Sequence, residues 1–331
     1  MVRIAFTDFW SEPKPFNPHN NFFVHALRAV TENVKVTAPE TCDLLFYGPF
    51  GNEHQKFNHC QKVFYTGENN KPDFRSCSYS FSFTPHSHQG RNFRLPLWYL
   101  YIDWFETKTS DNPEWLIPKE QLVKPSQFSN EGRDKFCAIV YGKKVRSRIR
   151  AIEAISRYKK VDVFGKANPT EPIGEGEHAK LLKLSNYRFT LCYENSISLG
   201  YVTEKLLHGK IAGCIPIYYG DNMAAEDFNS ECFIIAANLN RQTLIDTIRE
   251  VDSSQRRYQS MLNEPLFKEL PTLDPVYDAL TAILNGRKIS VSTAHATAAI
   301  EAKSQTNKQV FGTAQNLVQR ISAKLITRSG I

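Results

Sequence analysis

The sequence has no long hydrophobic run. None of its 331 residues lies in an uninterrupted stretch of about 18 apolar residues, so no membrane-spanning helix is expected. Internal repeats and low-complexity tracts are also missing, and the length favours two domains of ordinary size, each with its own core. The first ten residues, MVRIAFTDFW, predict a short strand rather than a signal peptide.

Cysteine is scarce and shows no pairing pattern. Seven cysteines are spread along the chain, and no C-x-x-C pair occurs. Two of them, Cys192 and Cys214, fall in predicted strands, where a free cysteine acts as a small hydrophobe. The pattern predicts a reducing compartment without a disulfide framework, and hence a cytoplasmic protein.

The chain has an excess of basic residues. It contains 41 Lys and Arg against 34 Asp and Glu, a formal net charge of +7. This charge suits an anionic nucleotide, an anionic membrane surface or nucleic acid, and does not choose between them. Nucleic acid is not expected as a partner, because the basic residues are dispersed and no RNA-binding motif is present.

Residues 187–220, YRFTLCYENSISLGYVTEKLLHGKIAGCIPIYYG, have the clearest pattern in the chain. The apolar run Tyr187–Tyr193 predicts a buried strand, and a polar turn, Glu194–Gly200, follows it. Apolar residues at helical spacing predict a helix over Tyr201–Gly213, and Cys214–Tyr219 predicts a second strand. Together these elements predict a βαβ unit with a right-handed crossover.

Polar residues cluster where ligands of such a unit bind. Ligands lie at the carboxyl ends of the strands, beside the helix N-terminus, and here that position contains Asn195, Tyr201, Glu204 and Lys205. An amide, a phenol, a carboxylate and an ammonium group suit a sugar nucleotide. From spacing alone, a Glu-Lys neighbour pair on a helix is as often a solvent-facing surface.

Three segments of this stretch closely resemble the signature of the α-1,3-fucosyltransferases of glycosyltransferase family 10. They are Tyr193-Glu194-Asn195, Tyr201-Val202-Thr203-Glu204-Lys205 and Pro216-Ile217-Tyr218-Tyr219-Gly220. Further segments resemble bacterial members of the family, so the resemblance covers roughly residues 2–270. These segments are Phe16–Phe23, Phe50–His54, Phe64–Asn69 and Arg94–Trp98.

The resemblance implies an α/β protein of the GT-B fold, with two Rossmann-like domains facing each other across a cleft. It suggests an acceptor-binding domain over residues 1–133 and a GDP-sugar-binding domain over 134–287, followed by a helical basic tail over 288–331. The rest of the pattern agrees, since short apolar strands alternate with helices or loops.

The implied reaction is an inverting transfer of fucose from GDP-fucose. The expected acceptor is an N-acetylglucosamine hydroxyl of an N-acetyllactosamine-type glycan, as in Lewis-type bacterial surface glycans. Glu68 matches the family's general base, and it follows a predicted strand that ends near Thr66. Partial burial in a cleft can raise the pKa of such a carboxylate toward neutrality. From the residues alone, Glu68 could equally cap a helix or lie on the surface.

Two cations are predicted to bind the diphosphate and complete the catalytic set with Glu68. They are Arg148, which matches the family's phosphate arginine, and Lys205. Arg148 lies in a predicted basic helix, Lys144–Tyr158, which places Ile149, Ile152 and Ile155 on its buried side. A basic helix is otherwise usually a solvated face, and Lys144, Arg146 and Arg150 are close alternatives.

The remaining matches concern the sugars of the donor. The resemblance implies that Asn195, Tyr201 and Glu204 bind the fucose and ribose hydroxyls, while Arg148 and Lys205 bind the diphosphate of the same GDP-fucose. Tyr201 could also be a core aromatic residue, and Glu194 a structural residue at the strand end.

No metal or cofactor is expected. The chain lacks an Asp-x-Asp motif, and its nine histidines include no H-x-x-x-H pair. His86 and His88 are neighbours, but their loop lacks a third obvious ligand. Arg148 and Lys205 would therefore replace a divalent cation, and activity should survive a chelator.

The basic C-terminal segment, 296–331, has apolar residues loosely at helical spacing. One interpretation is an amphipathic helix on an anionic membrane, which would make the protein peripheral on the inner face of the cytoplasmic membrane. The other is a helix packed on the body, or a frayed tail.

Two further functions stay open. One keeps the fold but uses an α-1,4 linkage, another donor or another acceptor, such as a lipid-linked glycan. The other is a non-catalytic basic binding protein.

Overall fold

Two parallel sheets form the framework of the molecule. The computed structural model describes residues 1–11, 15–106, 116–124, 132–166, 172–174 and 176–290. Residues Met1–Ile289 form one compact unit. The predicted basic tail lies outside the described residues from position 291 onward.

The first sheet contains six strands. They are β1 (Val2–Thr7), β2 (Val34–Val36), β3 (Leu44–Tyr47), β4 (Gln61–Tyr65), β5 (Tyr79–Ser82) and β6 (Asn92–Arg94). Their order is β2-β1-β3-β4-β5-β6, and every neighbouring pair is parallel. The sequence analysis missed β5 and β6, because their buried polar residues hide the apolar pattern. The buried hydroxyls of Ser80 and Ser82, in β5, both donate to Asn92 Oδ1, in β6, at 2.7 Å, so these polar groups have hydrogen-bond partners.

The second sheet contains five strands. After a short parallel pair, β7 (Ile102–Asp103) and β8 (Ile117–Pro118), the chain forms β9 (Lys135–Val140), β10 (Val161–Phe164), β11 (Tyr187–Tyr193), β12 (Ile215–Tyr219) and β13 (Ile234–Ile235). The order is β10-β9-β11-β12-β13, again parallel throughout. The central strand β11 is almost entirely buried, as its apolar run predicted.

Helices connect the strands and cover the sheets. They are α1 (Phe22–Val30), α2 (Glu120–Val123), α3 (Arg146–Ile155), α4 (Gly176–Leu184), α5 (Lys205–Ile211), α6 (Ala224–Asp227), α7 (Arg241–Ser253), α8 (Gln255–Asn263) and α9 (Asp274–Leu284). Among these described helices, none combines the length and apolar composition that crossing a bilayer requires.

Helix α1 begins where Asn21 caps it and lies in the core of the first sheet. The Asn21 side chain accepts from the N–H groups of Phe23 and Val24, and Phe23 and Leu27 are buried below it. Helix α9 packs in the same core through residues such as Leu280. The suggested second domain, 134–287, includes α9, so the chain returns to the first sheet after completing the second.

The predicted βαβ unit at residues 187–220 is present. Strands β11 and β12 pair in parallel from Phe189 with Ile215 to Tyr193 with Tyr219, and α5 connects them. The predicted start of the helix at Tyr201 is wrong, because α5 begins at Lys205. The Thr203 N–H and hydroxyl donate to the Glu194 carboxylate, and this tertiary contact keeps the segment before Lys205 out of the helix.

The predicted inward face of the basic helix is confirmed at Ile155, is partly buried at Ile152 and is wrong at Ile149. Helix α3 buries Arg148, Ala151 and Ile155, whereas Ile149 is 40% exposed. The helix is rotated because the Arg148 guanidinium has several acceptors at the edge of the second sheet, and these compensate for its burial.

Candidate active site

A cleft of about 370 Å³ lies between the carboxyl ends of the two sheets. Residues following β4 line one side, and residues following β9 and β11 line the other. All six site residues predicted from the sequence line this cleft: Glu68, Arg148, Asn195, Tyr201, Glu204 and Lys205. The two sheets therefore bring together side chains that are up to 137 positions apart in sequence, from Glu68 to Lys205 (205 − 68).

Glu68 lies in a tight turn directly after β4. The Thr66 hydroxyl donates to the Glu68 carbonyl at 2.9 Å and accepts from the Glu68 N–H at 3.0 Å, which fixes the backbone. Gly67 lies so close to Leu97 that an added Cβ would be 2.6 Å from its Cδ1. The Glu68 side chain is exposed, so the partial burial expected from the sequence is not seen.

Arg148 is 2% exposed and bonded to the end of β11. Its Nε and Nη2 donate to the Tyr193 carbonyl at 3.2 and 2.6 Å, and Nη2 also donates to Asn195 Oδ1 at 2.7 Å. Nη1 donates to the Lys143 carbonyl at 2.9 Å. Burial lowers the pKa of Arg148, and the nearby Glu194 opposes this effect. Arg148 is therefore not part of a solvated face.

These contacts limit how Arg148 can bind an anion. A guanidinium has five N–H donors, and the described contacts use four of them. Bidentate binding of a phosphate would therefore require one existing partner of Arg148 to be exchanged.

Lys205 is the first residue of α5 and lies beside two carboxylates. Its Nζ donates to Glu194 Oε2 at 2.9 Å and to the Thr203 hydroxyl at 2.8 Å, and it is 3.9 Å from Glu204 Oε1. Burial favours a lower pKa for Lys205, but Glu194 and Glu204 more than offset it and raise the pKa. The ammonium group therefore remains charged at the cleft wall.

Glu194 holds the segment Thr203–Lys205 in place through hydrogen bonds. Its side chain is fully buried and accepts from the Thr203 N–H at 2.9 Å, the Thr203 hydroxyl at 2.9 Å and Lys205 Nζ at 2.9 Å. The structure thus agrees with the interpretation of Glu194 as a structural residue at the strand end. Its role is to position the Thr203–Lys205 segment that the ligand would meet.

Glu204 is ionised by its cationic neighbours. Burial acts to raise the pKa of Glu204, but Lys205, Lys180 and His208 outweigh it and lower the pKa to about 2. Lys180 Nζ is 3.8 Å from Glu204 Oε1 and 2.9 Å from His208 Nδ1. The sequence analysis missed Lys180, because nothing in the polar pattern of α4 distinguishes it from a solvent-facing lysine.

Tyr201 is buried in the core and also lines the cleft. Its ring is 2% exposed and packs edge-on against Phe83, with centroids 5.3 Å apart, so it belongs to the core. It nevertheless lines the cleft. Such a residue can offer one edge or its hydroxyl to a ligand while the rest of the ring stays packed.

Direct contacts connect the two sides of the cleft. Arg94, in β6, forms a bidentate ion pair with Asp227, with both N–O distances at 2.7 Å, and donates to the Gly200 carbonyl at 3.1 Å. At the rim, Asn69 Nδ2 donates to Ser196 Oγ at 2.6 Å. The cleft is therefore closed along one edge by paired, partly buried groups.

Comparison with known proteins gives consistent similarities. Residues 4–101 match the family described as "Alpha-(1,3)-fucosyltransferase FucT N-terminal domain", and residues 131–263 match "Glycosyltransferase family 10 (fucosyltransferase) C-term". An alpha-(1,3)-fucosyltransferase FucT of Helicobacter pylori is 29% identical over 296 residues, which cover 82% of this chain and 61% of that protein. This chain thus spans about three fifths of that relative.

Two other similarities are narrower or concern the fold alone. Alpha-(1,3)-fucosyltransferase 4 of Bos taurus is 32% identical over 133 residues, 39% of this chain and 29% of that protein. A solved α1,3-fucosyltransferase structure with GDP-fucose has 24% identity and a TM-score of 0.64, covering 86% of this chain and 90% of that one. The prediction of a GT-B fold with two facing α/β sheets is confirmed.

Proposed function

The chain belongs to glycosyltransferase family 10, and from this premise we propose that it is an inverting α-1,3-fucosyltransferase. Its donor is GDP-fucose, and its acceptor is an N-acetylglucosamine hydroxyl of an N-acetyllactosamine-type glycan. The observation that supports this function best is the convergence of a carboxylate from one sheet and two cations from the other on a single cleft.

The charges of the cleft suit the donor. Arg148 and Lys205 lie on the side of the second sheet, in the first turns of α3 and α5. The N-termini of these helices add partial positive charge that favours a diphosphate. The ionised Glu204 is a good acceptor for the two hydroxyls of a ribose, while Asn195 and Tyr201 complete the sugar contacts. No divalent ion or other cofactor is needed in this arrangement.

Transfer is a direct displacement at the anomeric carbon. The Glu68 carboxylate takes the proton of the acceptor hydroxyl while that oxygen forms the new bond to the anomeric carbon. The bond between this carbon and the diphosphate breaks on the opposite face, and the leaving oxygens gain charge next to Arg148 and Lys205. An acceptor that covers Glu68 removes water from its carboxylate and thereby strengthens it as a base.

Release of GDP tests the function. The full chain is incubated with GDP-fucose and N-acetyllactosamine, and the linkage of the product is determined by NMR. An α-1,3-linked product supports the proposal. An α-1,4-linked product, or turnover only with another donor or with a lipid-linked acceptor, supports the alternative within the family. Absence of turnover with a panel of donors and acceptors supports a non-catalytic basic protein.

The absence of a metal requirement is a separate prediction. Because Arg148 and Lys205 supply the positive charge, the initial rate of GDP release should be unchanged by EDTA at millimolar concentration. GDP-fucose turnover is measured before and after chelation, with and without added Mg²⁺ or Mn²⁺. Complete loss that only a divalent ion restores would contradict it.

The proposal includes a cytoplasmic location with peripheral membrane contact through residues 288–331. None of the seven cysteines, all of which lie in the described part of the chain, forms a disulfide in the structure, which supports a reducing compartment. Sedimentation with anionic vesicles, comparing the full chain with a version that ends at Ser290, tests the membrane contact.

A further inference from the structure

Three soft ligands meet at the edge of the first sheet. The ligand atoms of Cys42, His59 and Cys60 all lie within 4.8 Å of one another, and we name these residues the thiol–imidazole cluster. The cysteines are far apart in sequence, so their spacing resembles no metal motif. The fold brings these three side chains together.

Strand pairing explains this meeting. Cys42 and Cys60 come just before β3 and β4, which are adjacent and parallel, with Leu44 opposite Gln61. The Gln61 N–H donates to the Asp43 carbonyl at 3.1 Å, which extends the pairing to the residues beside both cysteines. The two thiols therefore lie side by side at the amino ends of the strands.

The cluster is remote from the candidate active site. Glu68 follows the carboxyl end of β4, and the five residues of that strand span about 17 Å. The thiol–imidazole cluster therefore lies at the opposite edge of the first sheet, and none of its members lines the cleft.

The chemistry of the three ligands favours a thiophilic d¹⁰ cation. Thiolate and imidazole groups are the usual ligands of Zn²⁺, at about 2.3 Å from sulfur and about 2.0 Å from nitrogen. A tetrahedral ion would require the sulfur atoms to be about 3.8 Å apart, which is within the observed limit.

The surroundings also suit a bound ion. Cys42 is 2% exposed and packs with Ala5, Leu45 and Phe57, whereas His59 is exposed. One side of the site is therefore dry and apolar, and the other is open to solvent for entry of the ion. The thiols now donate to main-chain carbonyls, Cys42 to Pro39 at 3.3 Å, and they would release these bonds on ionising.

We propose that the thiol–imidazole cluster binds one Zn²⁺ ion. Cys42 and Cys60 bind as thiolates and His59 through an imidazole nitrogen, with water in the fourth position, and the two thiol protons pass to solvent. The ion connects the amino ends of β3 and β4 across the intervening loop. It stabilises the first sheet and takes no part in fucosyl transfer.

Cobalt binding tests the site, because Co²⁺ replaces Zn²⁺ and its thiolate complexes absorb in the near ultraviolet. The full chain is reduced, freed of metal and titrated with Co²⁺, and Zn²⁺ is then added to displace it. We expect one equivalent of Co²⁺ with thiolate charge-transfer absorbance, and loss of that absorbance as Zn²⁺ binds. We also expect Zn²⁺ to raise the Tm by about 2 °C or more.

Variants identify the ligands. Cys42→Ser and Cys60→Ser should abolish the absorbance, and His59→Gln, at an exposed position that folding tolerates, should weaken binding by about tenfold or more. Cys77→Ser is the matched control, because this buried cysteine of the same sheet lies outside the cluster, and it should bind like the unaltered chain. GDP release should be the same with and without Zn²⁺.

Three results would overturn the proposal. They are the absence of cobalt absorbance in the unaltered chain, its retention in both Cys→Ser variants, and a Cys42–Cys60 disulfide in the purified protein, seen as a mass lower by two hydrogens. Circular dichroism identifies a Cys→Ser variant that has lost its fold, and the His59→Gln result then decides.

Discussion

Two glutamates near the cleft differ in burial and therefore in chemistry. Glu194 is fully buried and satisfied by Thr203 and Lys205, so it is committed to the structure. Glu68 is exposed at the end of β4, with its backbone fixed by Thr66. Only Glu68 has a carboxylate free to meet an acceptor hydroxyl, which is the property that a general base requires.

Glu68→Gln should fold normally and bind GDP with unchanged affinity. Fucosyl transfer should fall by about two orders of magnitude or more, because the amide cannot accept the proton of the acceptor hydroxyl. Rates of GDP release with acceptor and calorimetric titration with GDP measure the two effects.

The exposed Glu153, on α3, provides the control for this change. Glu153→Gln removes the same charge and should leave transfer unchanged. Turnover of Glu68→Gln at the level of Glu153→Gln would remove Glu68 from the role of base.

Because of Glu204, the unfolding free energy of the protein should decrease as the pH becomes acidic. The pKa of Glu204 is about 2 in the folded protein, whereas an unfolded Glu titrates near 4.3. Its contribution is therefore fully present above about pH 5, and it is lost as the pH falls toward 2. A difference of this size corresponds to about 3 kcal/mol.

Urea unfolding between pH 6 and pH 3 measures this dependence. Glu204→Gln should be less stable than the unaltered chain at pH 6, and the difference should shrink as the pH falls. A constant difference across this range would show that Glu204 does not titrate on unfolding as described.

At the scale of secondary structure, the sequence predicted most helices and strands. It did not predict the features of these elements that depend on tertiary contacts. The apolar runs of β11 and β12 identify strands because both are buried on two faces. The start of α5 and the burial of Arg148 in place of Ile149 on α3 were missed, since Glu194 and Arg148 determine them through hydrogen bonds to distant residues. Periodicity contains no information about such contacts.

The turn before α5 depends on a glycine. Gly200 has a φ of +81°, and a Cβ added to it would lie 2.2 Å from the Phe83 carbonyl oxygen. Gly200→Ala should therefore lower the unfolding free energy by more than the cost of a positive φ alone, about 1–2 kcal/mol. It should also reduce transfer, because this turn leads into the Tyr201–Lys205 segment of the cleft.

Gly286→Ala separates the two costs. Gly286 also has a positive φ, +62°, but no atom of the described residues lies within 4 Å of a Cβ added to it. Urea unfolding of both variants, together with kcat/KM for GDP-fucose, should show the larger loss for Gly200→Ala. Equal losses would mean that the contact with Phe83 is unimportant.

At the scale of the whole molecule, the sequence predicted the cleft better than the contacts that close it. The family resemblance identified site residues on both sides, and all six predicted site residues line one cleft. The Arg94–Asp227 pair was not found, because Arg94 belongs to a segment that resembles the family but nothing in the sequence connects it with Asp227. Pairing across two sheets is a property of the assembled fold.

Asp227→Asn should destabilise the protein strongly. The change leaves the Arg94 guanidinium, 10% exposed in its side chain, without its carboxylate partner. Loss of one member of a buried ion pair costs about 3–5 kcal/mol. Urea unfolding measures the loss, and KM values for donor and acceptor show whether the two sides of the cleft have shifted.

An exposed ion pair serves as the comparison. Asp246 pairs with Arg249 on α7 at 2.8 Å, and both side chains are 50% exposed. Asp246→Asn should cost no more than about 1 kcal/mol. A similar small cost for Asp227→Asn would show that the Arg94 contact contributes little.

The return of the chain to the first sheet affects how the protein can be divided into fragments. After α9, the Arg287 carbonyl accepts from the Tyr79 hydroxyl at 2.9 Å, and the Ile289 N–H donates to the Gly90 carbonyl at 2.8 Å. A fragment beginning near residue 134 and ending at 287 would present the apolar side of α9 to water. A fragment that contains the second sheet would be better ended after α8, and a fragment that contains the first sheet would need α9 supplied separately or fused behind it.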